Sequence, residues 1–109
     1  VMLLTPFVAD EDKELTKNFV AAYEEQFGGV PNQFGADAYD GMYAIKAAAE
    51  KAGLTPDMSI SDMCEAMKTA MTEITIDGLT GEGITWTAEG EPSKAPKAMV
   101  IKDGAYTAM

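Results

Sequence analysis

The sequence predicts an α/β fold of about three helices and several short strands. Three observations carry that reading. Apolar residues recur every three or four positions through three stretches, glycine and proline punctuate those stretches, and the last third of the chain changes to threonine, glycine and scattered aromatics with strand-like alternation.

The opening run VMLLTPFV, apolar at nearly every position, reads as a short strand buried on both faces. Thr5-Pro6 ends it, because proline cannot donate to a continuing ladder. Asp10 or Asp12 is placed to cap the next element, a helix whose stripe is Leu15, Phe19, Tyr23 and Phe27. Gly28-Gly29 followed by Pro31 stops that helix, glycine taking a left-handed cap at little cost and proline being unable to continue the hydrogen bonding.

FGADAYDGMYAIKAAAEKAG, Phe34 to Gly53, is the second helix. On its wheel Ala38, Gly41, Met42, Ile45, Ala48, Ala49 and Ala52 share one face, small enough to lie close against a sheet or another helix. Asp37 and Asp40 near its start and Lys51 near its end suit the helix dipole, and Gly53 supplies the exit. A third helix starts at Ser59 or Ser61, the spacing from Ser59 to Asp62 resembling a capping box, with Ile60, Met63, Cys64, Met67, Met71 and Ile74 as its stripe. Beyond it, Ile84 and Trp86 alternate with Thr85 and Thr87 as in a half-buried strand, GEPSKAPK reads as a loop, and KAMVIKDGAYTAM reads as a strand, a tight Asp103-Gly104 turn and a return. This order leaves a shortfall. The first strand is far in sequence from the others, and three helices offer more apolar face than so few strands can cover. With an opening that has no methionine and no lead-in, the expectation is a piece of something longer.

Composition narrows the function. At 109 residues and 47% hydrophobic content the chain has the size and apolar content of one ordinary domain. Eighteen acids against eight bases give a net charge of -10, which repels phosphate backbones and anionic lipid surfaces, so nucleic acid is not an expected partner. The single cysteine, Cys64, excludes an internal disulfide, and the absence of histidine removes Ser-His and Cys-His catalysis. No cofactor or catalytic residue is expected.

Four features invite chemistry and have plainer readings. Asp37 and Asp40 could form a carboxylate pair, but acids near a helix N-terminus answer to the dipole. Met63, Met67 and Met71, with Cys64 beside them, could hold Cu(I), yet methionine at helical spacing is usually core, and Cys64 reads as a small buried hydrophobe. The glycine spacing of DGLTGEG suggests a phosphate cradle, but the segment lacks a P-loop lysine and opens no helix, so turn chemistry is the better account. Phe34 and Tyr39 flank the start of the second helix, where aromatics pack internally or face a ligand.

Taken in order, LLTPF before a helix, FVAAYEEQFGGVPNQFGADAYDGMYAIKAAAEKAG, DGLTGEGITWTAEGEP and KAMVIKDGAYT resemble the C-terminal part of type I periplasmic solute-binding proteins, the leucine/isoleucine/valine-binding group that serves ABC importers. The resemblance covers nearly the whole chain, with Trp86 where the family more often has phenylalanine. It implies a fragment of a two-lobed fold, with residues 1–28 in the second lobe, 29–80 in the first, and 81–109 crossing back. It implies capture of an amino acid, branched-chain or similar, and delivery to an ABC permease without catalysis, in the periplasm or outside the cell and with a lipid anchor upstream as an option. Because the loop before FGADAYD borders the cleft in similar proteins, it implies Phe34 as the leading ligand-facing residue, followed by Tyr39 and Asp40. The chain by itself is expected to bind no amino acid, since the groups that pair with the ligand's charges lie upstream, and to self-associate, by segment exchange for example. The rival expectation is a self-contained interaction module that docks a partner on its Ala/Met-rich helix face.

Overall fold

Local sequence sets the limits of each helix in the computed structural model, which describes residues 1–109. Helix α1 (Glu14–Phe27) ends where Gly28 turns left-handed at φ 75° and its N–H closes on the Glu24 carbonyl. Helix α2 (Gln33–Ala52) begins at Asn32, whose side-chain oxygen accepts the N–H groups of Phe34 and Gly35 at 3.0 and 3.2 Å, and it exits through left-handed Gly53. Helix α3 (Ile60–Met71) starts as the sequence predicts, with the Ser59 hydroxyl accepting the Asp62 N–H at 3.1 Å.

Three short strands form one antiparallel sheet in the order β1 (Met2–Thr5), β2 (Lys97–Lys102), β3 (Ala105–Ala108). Leu3 stands opposite Met99, and Val100 opposite Thr107. Asp103 and Gly104 join β2 to β3 with φ of 50° and 77°, the positive values that a two-residue hairpin needs. The first strand therefore pairs across almost the full length of the chain, and its distance in sequence does not keep it out of the sheet.

Packing is concentrated in two small clusters. Ala44 and Ala48 of α2 meet Ala70 of α3 and Ile74 just beyond it, with Met67, Met71, Ile76 and Trp86 around them. Small residues on both helices let their backbones approach closely. Near the start of α2, Phe7, Ala36 and Leu79 form the second cluster, flanked by Phe19, Val20 and Tyr39. The sheet stands apart from the helices. The molecule is accordingly long, 54 × 29 × 20 Å, with a radius of gyration of 16.4 Å, against about 13 Å for a compact domain of this length.

Several expectations need correction. Neither Asp10 nor Asp12 caps α1: the helix starts at Glu14 behind Lys13, which provides no side-chain cap. Asp12 pairs instead with Lys17 at 2.5 Å, and Asp10 accepts the Ala108 N–H of β3 at 3.0 Å. The packed side of α2 is the row Ala36, Asp40, Ala44, Ala48, rotated from the predicted face, which leaves Met42 67% and Ile45 54% exposed. An acid can occupy the buried row because its charge is fully matched there, as shown below. Asp37 and Asp40 lie beyond the first turn, so Asn32 fills the role at the helix start and the dipole does not explain the acids.

Met2, Leu3 and Leu4 of β1 are exposed, since no helix covers the sheet. Ile84 and Trp86 make isolated bridges, to Ile76 and Pro92, in place of a continuous strand. Cys64 and Ile60 are exposed as well, because the packed side of α3 runs through Met67, Ala70 and Met71.

Candidate functional site

The only buried charged residue in the molecule is Asp40. One turn of helix on each side of it carries a buried alanine, Ala36 or Ala44, so its carboxylate faces inward and is 3% exposed. There it meets the DGLTGEG loop. Oδ1 accepts the Leu79 N–H at 2.8 Å, while Oδ2 accepts the Thr80 N–H at 2.8 Å and the Thr80 hydroxyl at 2.6 Å. A buried carboxylate is costly unless it is hydrogen-bonded, and three donors meet that requirement here.

The loop is shaped for this contact. Ile76 and Ile84 exchange both backbone hydrogen bonds at its neck, at 3.0 and 2.8 Å, and the Asp77 side chain accepts the Gly83 N–H at 2.7 Å. At Gly78 an added Cβ would collide with the Asp40 carboxylate, so only glycine fits without displacing it. The glycine spacing that suggests a phosphate cradle thus does present backbone N–H groups to an anion. That anion is the protein's own aspartate.

Around the loop lies a chain of charges. The Lys97 ammonium, at the start of β2, donates to Glu11 Oε2 at 2.7 Å and to the Leu79 carbonyl at 3.4 Å. Lys13 pairs with Glu11 at 3.4 Å and with Glu82 at 3.1 Å. Glu82, ahead of Glu11, raises the Lys13 ammonium above its ordinary range, burial opposing. Lys94 reaches back to Asp37 at 3.1 Å. Together these contacts join the entry to α1, the loop, β2 and α2. Thr5 adds a link at the other end, its hydroxyl bonding the Gln33 side chain at 3.0 Å.

The three residues singled out in the sequence fall in different settings. Phe34, in the first turn of α2, is 70% exposed and packs on neither core cluster. Tyr39 is half-buried in an aromatic row: its ring centroid lies 5.1 Å from Phe19 and 4.8 Å from Tyr43, and Phe19, Tyr23 and Phe27 continue the row along α1. The Tyr43 hydroxyl beside it, ahead of burial and the Asp40 charge, pushes the Tyr39 phenol up to about 12. Asp40 is engaged as described. Tyr39 and Asp40 share an open groove of about 450 Å³ with Leu15, Tyr43, Lys46 and Asp77, and Phe34 does not line it. Sequence reasoning passed over Thr80 and Lys97. The signal for Thr80 was an acid at the centre of an i, i+4 alanine row, which demands a partner on the packed side.

Comparison with known proteins agrees with this architecture. The sequence profile of the periplasmic binding protein family matches residues 1–105. No curated protein sequence matches the chain. Among solved structures, a candidate branched-chain amino acid ABC transporter from Rhodospirillum rubrum is 26% identical with a TM-score of 0.72, covering 100% of this chain and 30% of that one. A leucine-binding protein from Thermotoga maritima is 21% identical with a TM-score of 0.74, over 100% of this chain and 29% of that one. A solute-binding protein of an ABC transporter from Rhodopseudomonas palustris, in complex with 3,4-dihydroxybenzoic acid, is 22% identical with a TM-score of 0.79, over 100% and 29%. The chain therefore spans about 30% of the length of the solved proteins it matches. It belongs to the periplasmic binding protein family, and its α/β architecture is a part of the type I fold of that family.

Proposed function

We propose that this chain is the last third or so of a two-lobed protein that captures a small carboxylate with an apolar body, a branched-chain amino acid foremost, and hands it to an ABC permease by closing its lobes. Periplasmic binding proteins bind their solutes and do not transform them, and they work in the periplasm or outside the cell; tethering by a lipid upstream of Val1 fits the same reading. In it residues 1–28 belong to the second lobe, 29–80 to the first, and 81–109 cross back. The separation of the β1–β2–β3 sheet from the α2–α3 pair supports setting those two parts in different lobes, while Phe7 and Phe19 pack on Ala36 and Tyr39 across the boundary at residue 28.

One observation carries the site. Phe34 stands 70% exposed in the first turn of α2, held there by the Asn32 cap, while every other aromatic of the α1–α2 row has an aromatic neighbour. An unpartnered ring at a fixed helix start is a ready wall for an apolar side chain. Related proteins of the fold hold leucine, benzoate or 3,4-dihydroxybenzoic acid, all carboxylates with an apolar body. Covering a phenyl ring fully contributes about 1.5 to 3 kcal/mol. Phe34→Ala in the two-lobed protein should therefore weaken leucine binding by roughly 10- to 100-fold in titration calorimetry. An unchanged dissociation constant would remove Phe34 from the site.

Tyr39 follows as a lesser contact, on a neighbouring groove that Phe34 does not line. Asp40, with both carboxylate oxygens engaged by the loop, serves the site from behind.

A further inference from the structure

We propose that Asp40 is a positioning residue for the solute site, acting as the joint that fixes the angle of α2, and with it Phe34, against the segments that bind the loop. This rests on the reading of Phe34 as a wall of the cleft.

Asp40 and Phe34 ride on the same helix, six residues apart, so a rotation of α2 about its axis moves both together. The first turns of α2 are held from outside by the Thr5–Gln33 hydrogen bond, by the half-exposed Lys94–Asp37 pair and by Ala36 packing on Phe7 and Leu79, contacts that leave Asp40 as the only buried charge on the helix. Asp40 grips the loop at three points, two of them rigid backbone N–H groups. The loop in turn cannot shift freely. Its neck is closed by the Ile76–Ile84 pair, the Leu79 carbonyl accepts the Lys97 ammonium, and Glu82 is tied through Lys13 to Glu11 at the entry to α1. Asp40 is thus the buried side chain through which α2 is hydrogen-bonded to the loop that Lys97 of β2 and Lys13 at the start of α1 also hold. No other buried charge in the molecule could serve. With residues 81–109 crossing between lobes, β2 is one of the segments that bends or holds still during closure. The joint ties the Phe34 wall to β2 and to the entry of α1, so that the wall keeps its angle against them.

A double-mutant cycle on the two-lobed protein separates this role from general support. Asp40→Asn keeps the side-chain volume and turns one acceptor into a donor facing an N–H group. It should speed amide exchange at Leu79 and Thr80 at least about tenfold. It should also weaken leucine binding about tenfold when Phe34 is present, and less than twofold in the Phe34→Ala background. Thr80→Val removes only the 2.6 Å hydroxyl bond and should show the same pattern in weaker form if Asp40→Asn does not fold, with Thr80→Ser restoring the wild-type values. Equal losses with and without Phe34, or unchanged exchange at Leu79 and Thr80, would overturn the joint. If the wild-type protein binds neither leucine nor benzoate, the solute reading fails instead, while the exchange rates still decide whether Asp40 clamps the loop.

Discussion

Two glycines on or near the same helix should respond to the same substitution in opposite directions. At Gly78 a methyl group would come within 2.5 Å of Asp40 Cγ and 2.6 Å of Oδ2, far inside contact distance, and the obstacle is a buried carboxylate fixed by three hydrogen bonds. Something must yield. If the carboxylate moves, hydrogen bonds to a charged acceptor worth about 1.5 to 3 kcal/mol each are stretched or lost; if the loop moves, the cost is that of an overpacked core, about 1 to 3 kcal/mol. Gly78→Ala should therefore destabilise by about 2 to 4 kcal/mol. Gly41, one residue beyond Asp40, has nothing within 4 Å of its added Cβ and lies inside α2. Gly41→Ala should stabilise by about 0.5 to 1 kcal/mol through the helix preference of alanine and the smaller entropy of the unfolded chain. Urea unfolding of the two variants beside the wild type reads both values on one scale. A Gly78→Ala midpoint indistinguishable from wild type, or the same sign for both variants, would refute the close approach of loop and carboxylate.

Other outcomes follow from the same contacts. The Tyr39 phenol, held up to about 12, should ionise above the ordinary tyrosine range in an ultraviolet titration, and Tyr43→Phe should bring it back toward the ordinary value near 10. Its folded-state value is raised, so its contribution to stability is fully present below about pH 10 and is lost as the pH climbs through about 12. Lys97→Met should destabilise by about 1 to 2 kcal/mol, because Glu11, only 21% exposed, would lose its 2.7 Å partner and Leu79 a donor; an unchanged urea midpoint would count against the charge chain around the loop. The 109-residue chain taken alone, with Met42, Ile45, Ile60 and the β1 side chains uncovered, should self-associate, and light scattering that finds a monomer at high concentration would contradict this.

Much of the fold was legible because it is decided locally. Gly28, Gly53, Ser59 and the Asp103-Gly104 turn each act within four residues, and each stands where its conformational preference put it. What escaped was decided at a distance. The packed face of α2 differs from the predicted one because Asp40 looks like a surface acid until its partners, 39 and 40 residues away, are known. The caps expected of Asp10 and Asp12 lost to Ala108 and Lys17, contacts that capping rules do not weigh. The exposure of β1 and of Met42 reflects the shortfall noticed in the sequence, three helices and a strand with more apolar surface than this stretch covers. Of the site, an aromatic at the helix start was readable as a candidate, but the support behind it was not, since DGLTGEG announces only a tight turn and not what the turn encloses.

The central claim, that this chain supplies one wall of a cleft whose other walls come from the rest of a two-lobed protein, is tested most directly by titration calorimetry. Leucine, isoleucine, valine and benzoate would be titrated in parallel into the two-lobed protein and into the 109-residue chain. The account predicts saturable binding of at least one of these solutes to the two-lobed protein and flat traces for the chain alone, because the groups that pair with the two charges of an amino acid are expected in the rest of that protein. A micromolar dissociation constant for the isolated chain, or no binding of any of the four to the two-lobed protein, would contradict it.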